Sequence, residues 1–181
     1  MEEIPKNFVI AYSKAEIAKR VGELALEIAP WIRQWEEKTG EPILAVCILR
    51  GAAFFFADLL RAFPRSVETS FLRTWAYTDE SHQRSTVEVA ADTLPIAGRA
   101  VLLVDEICDS GSTLQKLESM FLSQGAKEVK AAVAISRLVV EPKYRAQWTA
   151  FEYPGAEWFV GYGMDSSNRF RNAPDIYRIE S

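Results

Sequence analysis

Three near-continuous apolar runs constrain the fold of this chain more than any other feature. Residues 42–49 read PILAVCIL, residues 99–107 read RAVLLVDEI and residues 127–136 read KEVKAAVAIS. Runs of this kind predict strands that are buried on both faces, as in parallel sheets. Helical patterns follow the first two runs, at residues 52–63 and 112–125. Because strands alternate with helices, we predict an α/β fold with a central, mostly parallel sheet flanked by helices.

The first helix is predicted from its ends and its apolar stripe. Ser13 and Glu16 form a capping-box pattern, and apolar residues then recur at helical spacing. Pro30 is expected to break or kink this helix, and Gly40 can end the segment. Further strands are predicted at residues 67–77, 86–90, 148–153 and 157–164.

Composition restricts the class of protein. The formal net charge of −4 argues against a general nucleic-acid binder, since such proteins are usually basic. No repeat or linker is visible, so residues 1–181 are predicted to form one domain. The apolar runs are shorter than the roughly 20 residues of a membrane span, and residues 1–8 lack a signal-peptide core. Cys47 and Cys108 lie in or beside apolar runs, outside any metal-binding spacing. We therefore expect a cytoplasmic protein without a membrane partner.

Polar residues gather where the second buried run ends. Asp105 and Glu106 follow its apolar residues directly, and residues 109–113 form a hydroxyl-rich turn before a helix. In parallel sheets, ligands bind beyond the carboxyl ends of the strands. Free amides at a helix start bind phosphate, while carboxylates bind sugar hydroxyls or a divalent metal. The pattern favours a phosphorylated sugar with magnesium; the alternative is a pair of solvated acids beside an ordinary capping turn.

Residues 101–114, VLLVDEICDSGSTL, resemble the phosphoribosyl pyrophosphate (PRPP) motif of type I phosphoribosyltransferases. Residues 45–63 are similar to the pyrophosphate-loop segment of hypoxanthine-guanine phosphoribosyltransferases, and residues 157–177 look like their C-terminal base-binding segment. The resemblance implies the type I phosphoribosyltransferase fold, with a small base-binding hood from the terminal segments. It also implies Mg²⁺-dependent transfer of phosphoribose from PRPP to hypoxanthine or guanine in purine salvage, by a homodimer or homotetramer.

The resemblance assigns roles around the PRPP motif. Asp105 and Glu106 match the acids that hold the ribose hydroxyls, and both are predicted to contribute to the magnesium site. Asp109 matches the acid near purine N7 that is proposed as the general base. The loop that binds the 5′-phosphate corresponds to Asp109, Ser110, Gly111, Ser112 and Thr113.

Other segments supply the pyrophosphate and lid positions. Arg50 and Gly51 match the lysine-glycine pair of the pyrophosphate loop, and Arg171 matches an arginine that contacts pyrophosphate. Tyr77 matches the tyrosine of the mobile lid, and the polar stretch at residues 78–85 fits a flexible loop.

The predicted base site comes from later parts of the chain. Trp158 matches the aromatic residue that stacks on the purine, and the backbone of Val160 is expected to read the purine edge. Asp165 matches the acid near the metal. Arg137 lies 21 residues before Trp158, where the family has a lysine that donates to the 6-oxo group.

Four positions depart from the family pattern. Arg50 and Arg137 replace lysines, Ala76 replaces a serine, and Glu106 replaces an aspartate. Arginine can donate to an oxygen, but it is larger and planar, so the base is the least determined part of the prediction. The alternatives are a phosphoribosyltransferase for another base, such as xanthine, or a non-catalytic regulator that senses PRPP or nucleotides.

Overall fold

The computed structural model describes residues 3–76, 87–90, 96–138 and 141–180. Within these residues the chain forms three helices and nine strands. The helices are α1 (Lys14–Thr39), α2 (Ala53–Ala62) and α3 (Ser112–Ser123). The strands are β1 (Phe8–Tyr12), β2 (Leu44–Leu49), β3 (Glu68–Ala76), β4 (Val87–Ala90), β5 (Ala100–Cys108), β6 (Glu128–Arg137), β7 (Trp148–Tyr153), β8 (Phe159–Val160) and β9 (Ile176–Ile179).

Six strands form the central sheet, in the order β4-β3-β2-β5-β6-β7. Neighbouring strands run parallel, except that β3 and β4 pair antiparallel. The three apolar runs become β2, β5 and β6, which lie side by side at the centre of the sheet. The prediction of a mostly parallel α/β sheet is confirmed. Its central position explains why these strands carry apolar residues on both faces.

The two faces of the sheet pack against different helices. Ala45 and Cys47 of β2 belong to the core cluster that contains the buried residues of α1 and α2. Leu44 and Val46 belong to the cluster that contains the buried residues of α3. Successive strand side chains point to opposite faces, so one strand contributes to both cores. The result is a three-layer arrangement of helices, sheet and helix.

A second, three-stranded antiparallel sheet brings the two ends of the chain together, and we call it the hood. Strand β9 lies between β1 and β8. Phe8 pairs with Ile179, and Phe159 pairs with Arg178. The hood therefore comes from the terminal segments, as predicted. The strand predicted at residues 157–164 is shorter than expected, since only Phe159–Val160 forms a strand.

Helix α1 starts and ends where the sequence predicts, but Pro30 does not break it. Ser13 and Glu16 form the capping box, and Gly40 takes a left-handed conformation with φ of 74° as the C-cap. Pro30 lies inside the continuous helix. Buried residues on both sides of it, including Ile28 and Trp31, pack into the core. We attribute the unbroken helix to this tertiary packing, which outweighs the roughly 3 kcal/mol that an interior proline costs.

The range of described residues bears on two predictions, the absence of a membrane span and the presence of a lid. Among the residues that the structure describes, no helix is long and apolar enough to cross a bilayer. Tyr77 and the polar stretch at residues 78–85 lie outside the described residues. The assignment of a lid to this segment therefore stays a prediction.

Candidate active site

A cleft of about 280 Å³ lies at the carboxyl ends of the central strands, with residues of the C-terminal segment on its other wall. Its position agrees with the general rule for ligand sites in parallel sheets. Both charged and apolar side chains line it, so it offers a polar part and an aromatic part. The lining residues are Ile48, Leu49, Thr74, Asp105, Glu106, Ile107, Asp109, Thr113, Arg137, Trp158, Phe159, Met164, Asp165 and Arg171.

Asp105 and Glu106 lie on the wall of the cleft that the carboxyl end of β5 forms. Asp105 is 8% exposed, and its Oδ1 accepts a hydrogen bond from the backbone N–H of Glu106 at 2.9 Å. Burial raises the pKa of Asp105 well above its ordinary value of 3.8, and the neighbouring Glu106 carboxylate raises it further. An acid pair in this setting favours an electropositive or hydrogen-bond-donating ligand.

Strand β5 continues past the two acids, although the sequence predicts that it ends there. Its ladder with β2 stops at Val104, but its ladder with β6 continues to Cys108. The acids therefore lie at the point where one neighbouring strand has ended and the other has not. The unpaired side of β5 is the side on which Glu106 approaches the loop after β2.

The turn between β5 and α3 is built from small residues for a steric reason. Gly111 has φ of 77°, and a Cβ there would lie 2.5 Å from the carbonyl oxygen of Tyr144. The carbonyl of Ser110 accepts from the N–H of Lys143 at 2.8 Å. Thr113 lines the cleft from the first turn of α3. The segment around Tyr144 thus supports the turn, a contact that the sequence did not indicate.

The predicted pyrophosphate segment follows β2 directly. The peptide bond between Leu49 and Arg50 is cis. Arg50 Nη2 donates to Asn168 Oδ1 at 3.0 Å, which ties this loop to the C-terminal segment. A Cβ on Gly51 would meet the carboxylate of Glu106. Of the described residues that line the cleft, none is Arg50 or Gly51, so this loop borders the cleft rather than forming its wall.

The guanidinium of Arg137 makes three hydrogen bonds in the cleft. Its Nε donates to Asp109 Oδ1 at 2.5 Å. Its Nη1 donates to the carbonyl of Gly155 and its Nη2 to the carbonyl of Glu157, both at 2.7 Å. The guanidinium carbon lies 5.0 Å from the ring centre of Phe159. Two predicted site residues, Arg137 and Asp109, are thus in direct contact.

Trp158 stands at the mouth of the cleft. Trp158 is 64% exposed, more than Phe54 and Phe71, which are the other exposed aromatic residues among those described. Its Nε1 donates to the carbonyl of Asp165 at 2.8 Å. This bond fixes the indole while it leaves much of the ring accessible. An exposed ring with a fixed orientation can stack on a flat ligand.

The C-terminal segment closes on itself through Asp165. Its carboxylate is paired with Arg171 Nη2 at 2.5 Å and accepts from the Asn168 N–H at 2.7 Å. Arg171 Nη1 also donates to the carbonyl of Gly163 at 2.7 Å. Asp165 and Arg171 both line the cleft, and the metal and pyrophosphate roles assigned to them stay predictions.

The side chain of Val160 does not reach the cleft, whereas that of its neighbour Phe159 does. Val160 has 0% exposure, and the described lining of the cleft includes Phe159 and Met164. The two-residue strand β8 explains this difference, because neighbouring residues on a strand point to opposite sides. The role predicted for the Val160 backbone stays a prediction. Phe159 pairs with Arg178 of β9 and turns toward the cleft.

Comparison with known proteins defines the class of the chain. The model of the phosphoribosyl transferase domain family matches residues 15–167. This protein is therefore a phosphoribosyltransferase. The hypoxanthine-guanine phosphoribosyltransferase of Aquifex aeolicus is 34% identical over 183 residues, which cover 99% of both chains. The corresponding enzyme of Bacillus subtilis is 33% identical over 173 residues, covering 92% of this chain and 90% of the relative. The chain belongs to the hypoxanthine-guanine phosphoribosyltransferase family.

Solved structures agree with this assignment. The hypoxanthine-guanine phosphoribosyltransferase of Bacillus anthracis is 29% identical, with a TM-score of 0.81 over 99% of this chain and 100% of that one. A lysine-to-arginine mutant of the hypoxanthine phosphoribosyltransferase from Trypanosoma cruzi, complexed with the product IMP, is 26% identical. Its TM-score is 0.83, over 99% of this chain and 94% of that one. The fold is the type I phosphoribosyltransferase fold, as predicted.

Proposed function

We propose that this enzyme transfers the 5-phosphoribosyl group of PRPP to a 6-oxopurine, hypoxanthine or guanine, in purine salvage. The products are the nucleoside monophosphate and pyrophosphate. The observation that carries the proposal is the convergence of the acid pair, Asp109 and Trp158 on one cleft. The names of the relatives support the same reaction. We also propose that residues 1–181 act as a single catalytic domain.

PRPP would bind along the carboxyl end of β5. Asp105 and Glu106 would accept hydrogen bonds from the two ribose hydroxyls. The turn formed by residues 109–113 would bind the 5′-phosphate through backbone N–H groups at the start of α3 and through hydroxyls. Arg50 and Gly51, together with Arg171, would face the pyrophosphate.

The acid pair also fits a magnesium ion. Carboxylate oxygens are the protein ligands that Mg²⁺ prefers, and Asp105 has a buried carboxylate whose pKa is raised beside Glu106. The described residues hold no group of three or more His, Cys, Asp or Glu side chains placed to bind a metal. Asp105, Glu106 and Asp165 would hold the ion directly or through water, and oxygens of PRPP and water would complete its coordination. When bound, it supplies positive charge that stabilises the departing pyrophosphate.

The base would enter between Trp158 and Asp109. Trp158 would stack on the purine, while Asp109 would accept the proton of N7 as the bond to ribose C1 forms. The second N–H of an Arg137 terminal nitrogen would donate to the 6-oxo group. The backbone of Val160, next to Phe159 of the cleft lining, would read the edge of the purine. The transition state would carry positive charge on the ribose, which the nearby carboxylates would stabilise.

The proposal is tested by pyrophosphate release from PRPP and Mg²⁺, with hypoxanthine, guanine, xanthine and adenine supplied separately. We expect turnover with hypoxanthine or guanine and none with adenine, because the 6-amino group cannot accept from Arg137. Asp109→Asn should bind PRPP in a calorimeter as the wild type does, but should lose about 100-fold or more in kcat. Full activity of this variant would rule out the role of Asp109 as the base.

Arg137 keeps a second candidate substrate open, namely another base such as xanthine. The same four bases decide between these substrates, since the highest kcat/KM identifies the preferred one. If the protein binds PRPP but turns over none of the four, a non-catalytic sensor of PRPP or nucleotides becomes the better explanation.

We further propose that the enzyme is a cytoplasmic homodimer or homotetramer. Cys47 and Cys108 are buried and unpaired, which fits a reducing compartment. Phe54 of α2 and Phe71 of β3 are 45% and 53% exposed, and such residues are common in subunit interfaces. A structure of the Trypanosoma cruzi relative is described in terms of its oligomeric state. Light scattering on the purified protein tests this proposal; a monomer at micromolar concentration would contradict it.

A further inference from the structure

The guanidinium of Arg137 is oriented by groups other than Asp109. Two backbone carbonyls, those of Gly155 and Glu157, accept from its terminal nitrogens at 2.7 Å. The ring of Phe159 lies 5.0 Å away, and 13% of the Arg137 side chain is exposed. Main-chain carbonyls and a buried ring are rigid partners. These partners therefore fix the direction of the Arg137 Nε–H bond without any contribution from Asp109.

Asp109 is in the opposite situation. Its side chain is 69% exposed and follows the end of β5 in a turn. Packing therefore leaves several orientations open to its carboxylate. The hydrogen bond from Arg137 Nε, at 2.5 Å, selects one of them.

We propose that Arg137 is a positioning residue that holds the Asp109 carboxylate in the orientation from which it accepts the N7 proton. The inference rests on the proposed function and adds a second role to Arg137, beside its contact with the base. It also connects Asp109 to the segment that carries Trp158, because Glu157 precedes Trp158 in the chain. Arg137 would thus fix the position of the general base, Asp109, relative to Trp158, which stacks on the purine.

The planar shape of arginine matters for this role. Its Nε and two terminal nitrogens point in fixed directions, and here each has a different acceptor. A lysine has all its donors on one flexible nitrogen, so it cannot hold three separated acceptors in one fixed arrangement. Arg137→Lys therefore keeps the charge but removes the fixed geometry.

A double-mutant cycle on kcat tests the proposal. Arg137→Met should lower kcat about 10- to 100-fold, since a misplaced catalytic group loses that much, and the KM for PRPP should stay unchanged. Asp109→Asn should lower kcat more strongly. At saturating base, the double variant should have the kcat of Asp109→Asn alone, because the positioning role acts through the carboxylate that is already lost. Loss of the contact between Arg137 and the base should appear in the KM for the base instead. Long incubations with radiolabelled base keep the slow variants measurable.

Arg20 offers a matched control. It also donates to two backbone carbonyls, those of Ala150 and Thr149, and to the carboxylate of Glu27. Arg20→Met removes the same kinds of bonds from a residue that is not among the described lining of the cleft, so kcat should stay at the wild-type value. A loss equal to that of Arg137→Met would show that the kcat effect is merely structural and would overturn the proposal.

Arg137→Lys covers the case in which the methionine variant does not fold. It should lower kcat about tenfold in the wild-type background and have no further effect in the Asp109→Asn background. Losses that multiply in an active enzyme would overturn the positioning role and leave the proposed function intact. A wild-type protein that turns over no purine base would overturn both.

Discussion

The carboxylate of Glu106 lies against the backbone of Gly51, in the space that a side chain at position 51 would need. Glu106 belongs to β5, whereas Gly51 follows β2. The two predicted PRPP-binding loops are therefore in contact through one side chain. A shorter aspartate, which is the residue of the family pattern, ends one methylene earlier. The longer side chain of Glu106 thus fits because position 51 has no side chain.

We expect Gly51→Ala to impair PRPP binding rather than folding. Gly51 does not have a positive φ, so its backbone accepts alanine. The new methyl group displaces the end of the Glu106 side chain, which is flexible, and moves a predicted ribose and magnesium ligand. The KM for PRPP should rise about tenfold. The free energy of unfolding, from urea titration, should change by less than about 1 kcal/mol.

The background variant Glu106→Asp provides the control for this prediction. The shorter side chain withdraws from position 51, so adding Gly51→Ala to it should raise the KM for PRPP much less than in the wild type. An equal rise in both backgrounds would contradict the contact as the cause.

Asp105 should make the stability of the protein pH-dependent. Burial, then the charge of Glu106, raise its pKa in the folded state well above 3.8. The folded protein therefore favours the protonated acid, and this contribution is complete below pH 3.8 and is lost as pH rises through the raised pKa. Asp105→Asn keeps the shape without the charge, so at pH 8 it should be more stable than the wild type by at least about 1 kcal/mol.

Urea unfolding of both proteins between pH 4 and pH 8, in the absence of Mg²⁺ and PRPP, measures this difference. Glu41→Gln, which removes an exposed carboxylate, is the control and should run parallel to the wild type. A constant difference between Asp105→Asn and the wild type across this range would contradict the prediction.

The pair formed by Asp165 and Arg171 should stabilise the C-terminal segment. The two side chains are 27% and 25% exposed, and Asp165 also accepts from the Asn168 N–H. Asp165→Ala leaves a partly buried guanidinium and a backbone N–H without this acceptor. We expect a loss of about 1–3 kcal/mol in the free energy of unfolding.

Glu37→Ala is the comparison for that measurement. It breaks the exposed pair of Glu37 with Arg33, whose side chains are 68% and 58% exposed. Exposed pairs contribute at most about 0.5 kcal/mol on a helix. If Asp165→Ala were as mild as Glu37→Ala, the pair would have no special structural role.

Both cysteines should be unreactive in the folded protein. Burial, with a smaller effect of the nearby acids, raises the pKa of Cys47 from 9.0 to about 12. Burial also raises the pKa of Cys108. The thiolate is the reactive form, so its fraction at pH 8 is on the order of 1,000-fold lower for Cys47 than for an ordinary thiol. Iodoacetamide at pH 8 should label neither residue until urea is added. Rapid labelling of the native protein would contradict this prediction.

Local patterns were sufficient for the central elements. The apolar composition of β2, β5 and β6 is enough to predict that these strands are buried. The capping box of α1 involves residues only three positions apart. Strands β1 and β9 were not predicted. Each has five residues or fewer, and their pairing joins the two ends of the chain, Phe8 with Ile179. No local period reports such a contact.

The candidate site also has one part that a local motif indicates and another part that depends on contacts between distant segments. Asp105, Glu106 and the turn at residues 109–113 are consecutive or nearly so, so one motif indicates them together. The contact between Arg137 and Asp109 joins positions 28 residues apart, and its geometry depends on carbonyls of a third segment. The side chain of Phe159 lines the cleft and that of Val160 does not, which follows from the pairing of β8 with β9.

The sequence by itself determined the α/β class, the centre of the sheet and the family, because these depend on residue types and short spacings. The tertiary structure decided how the substituted residues act. Glu106 reaches Gly51, and Arg137 holds Asp109, because chain segments far apart in sequence pack to within hydrogen-bond distance or van der Waals contact. Side-chain length and planarity have consequences only once those distances exist.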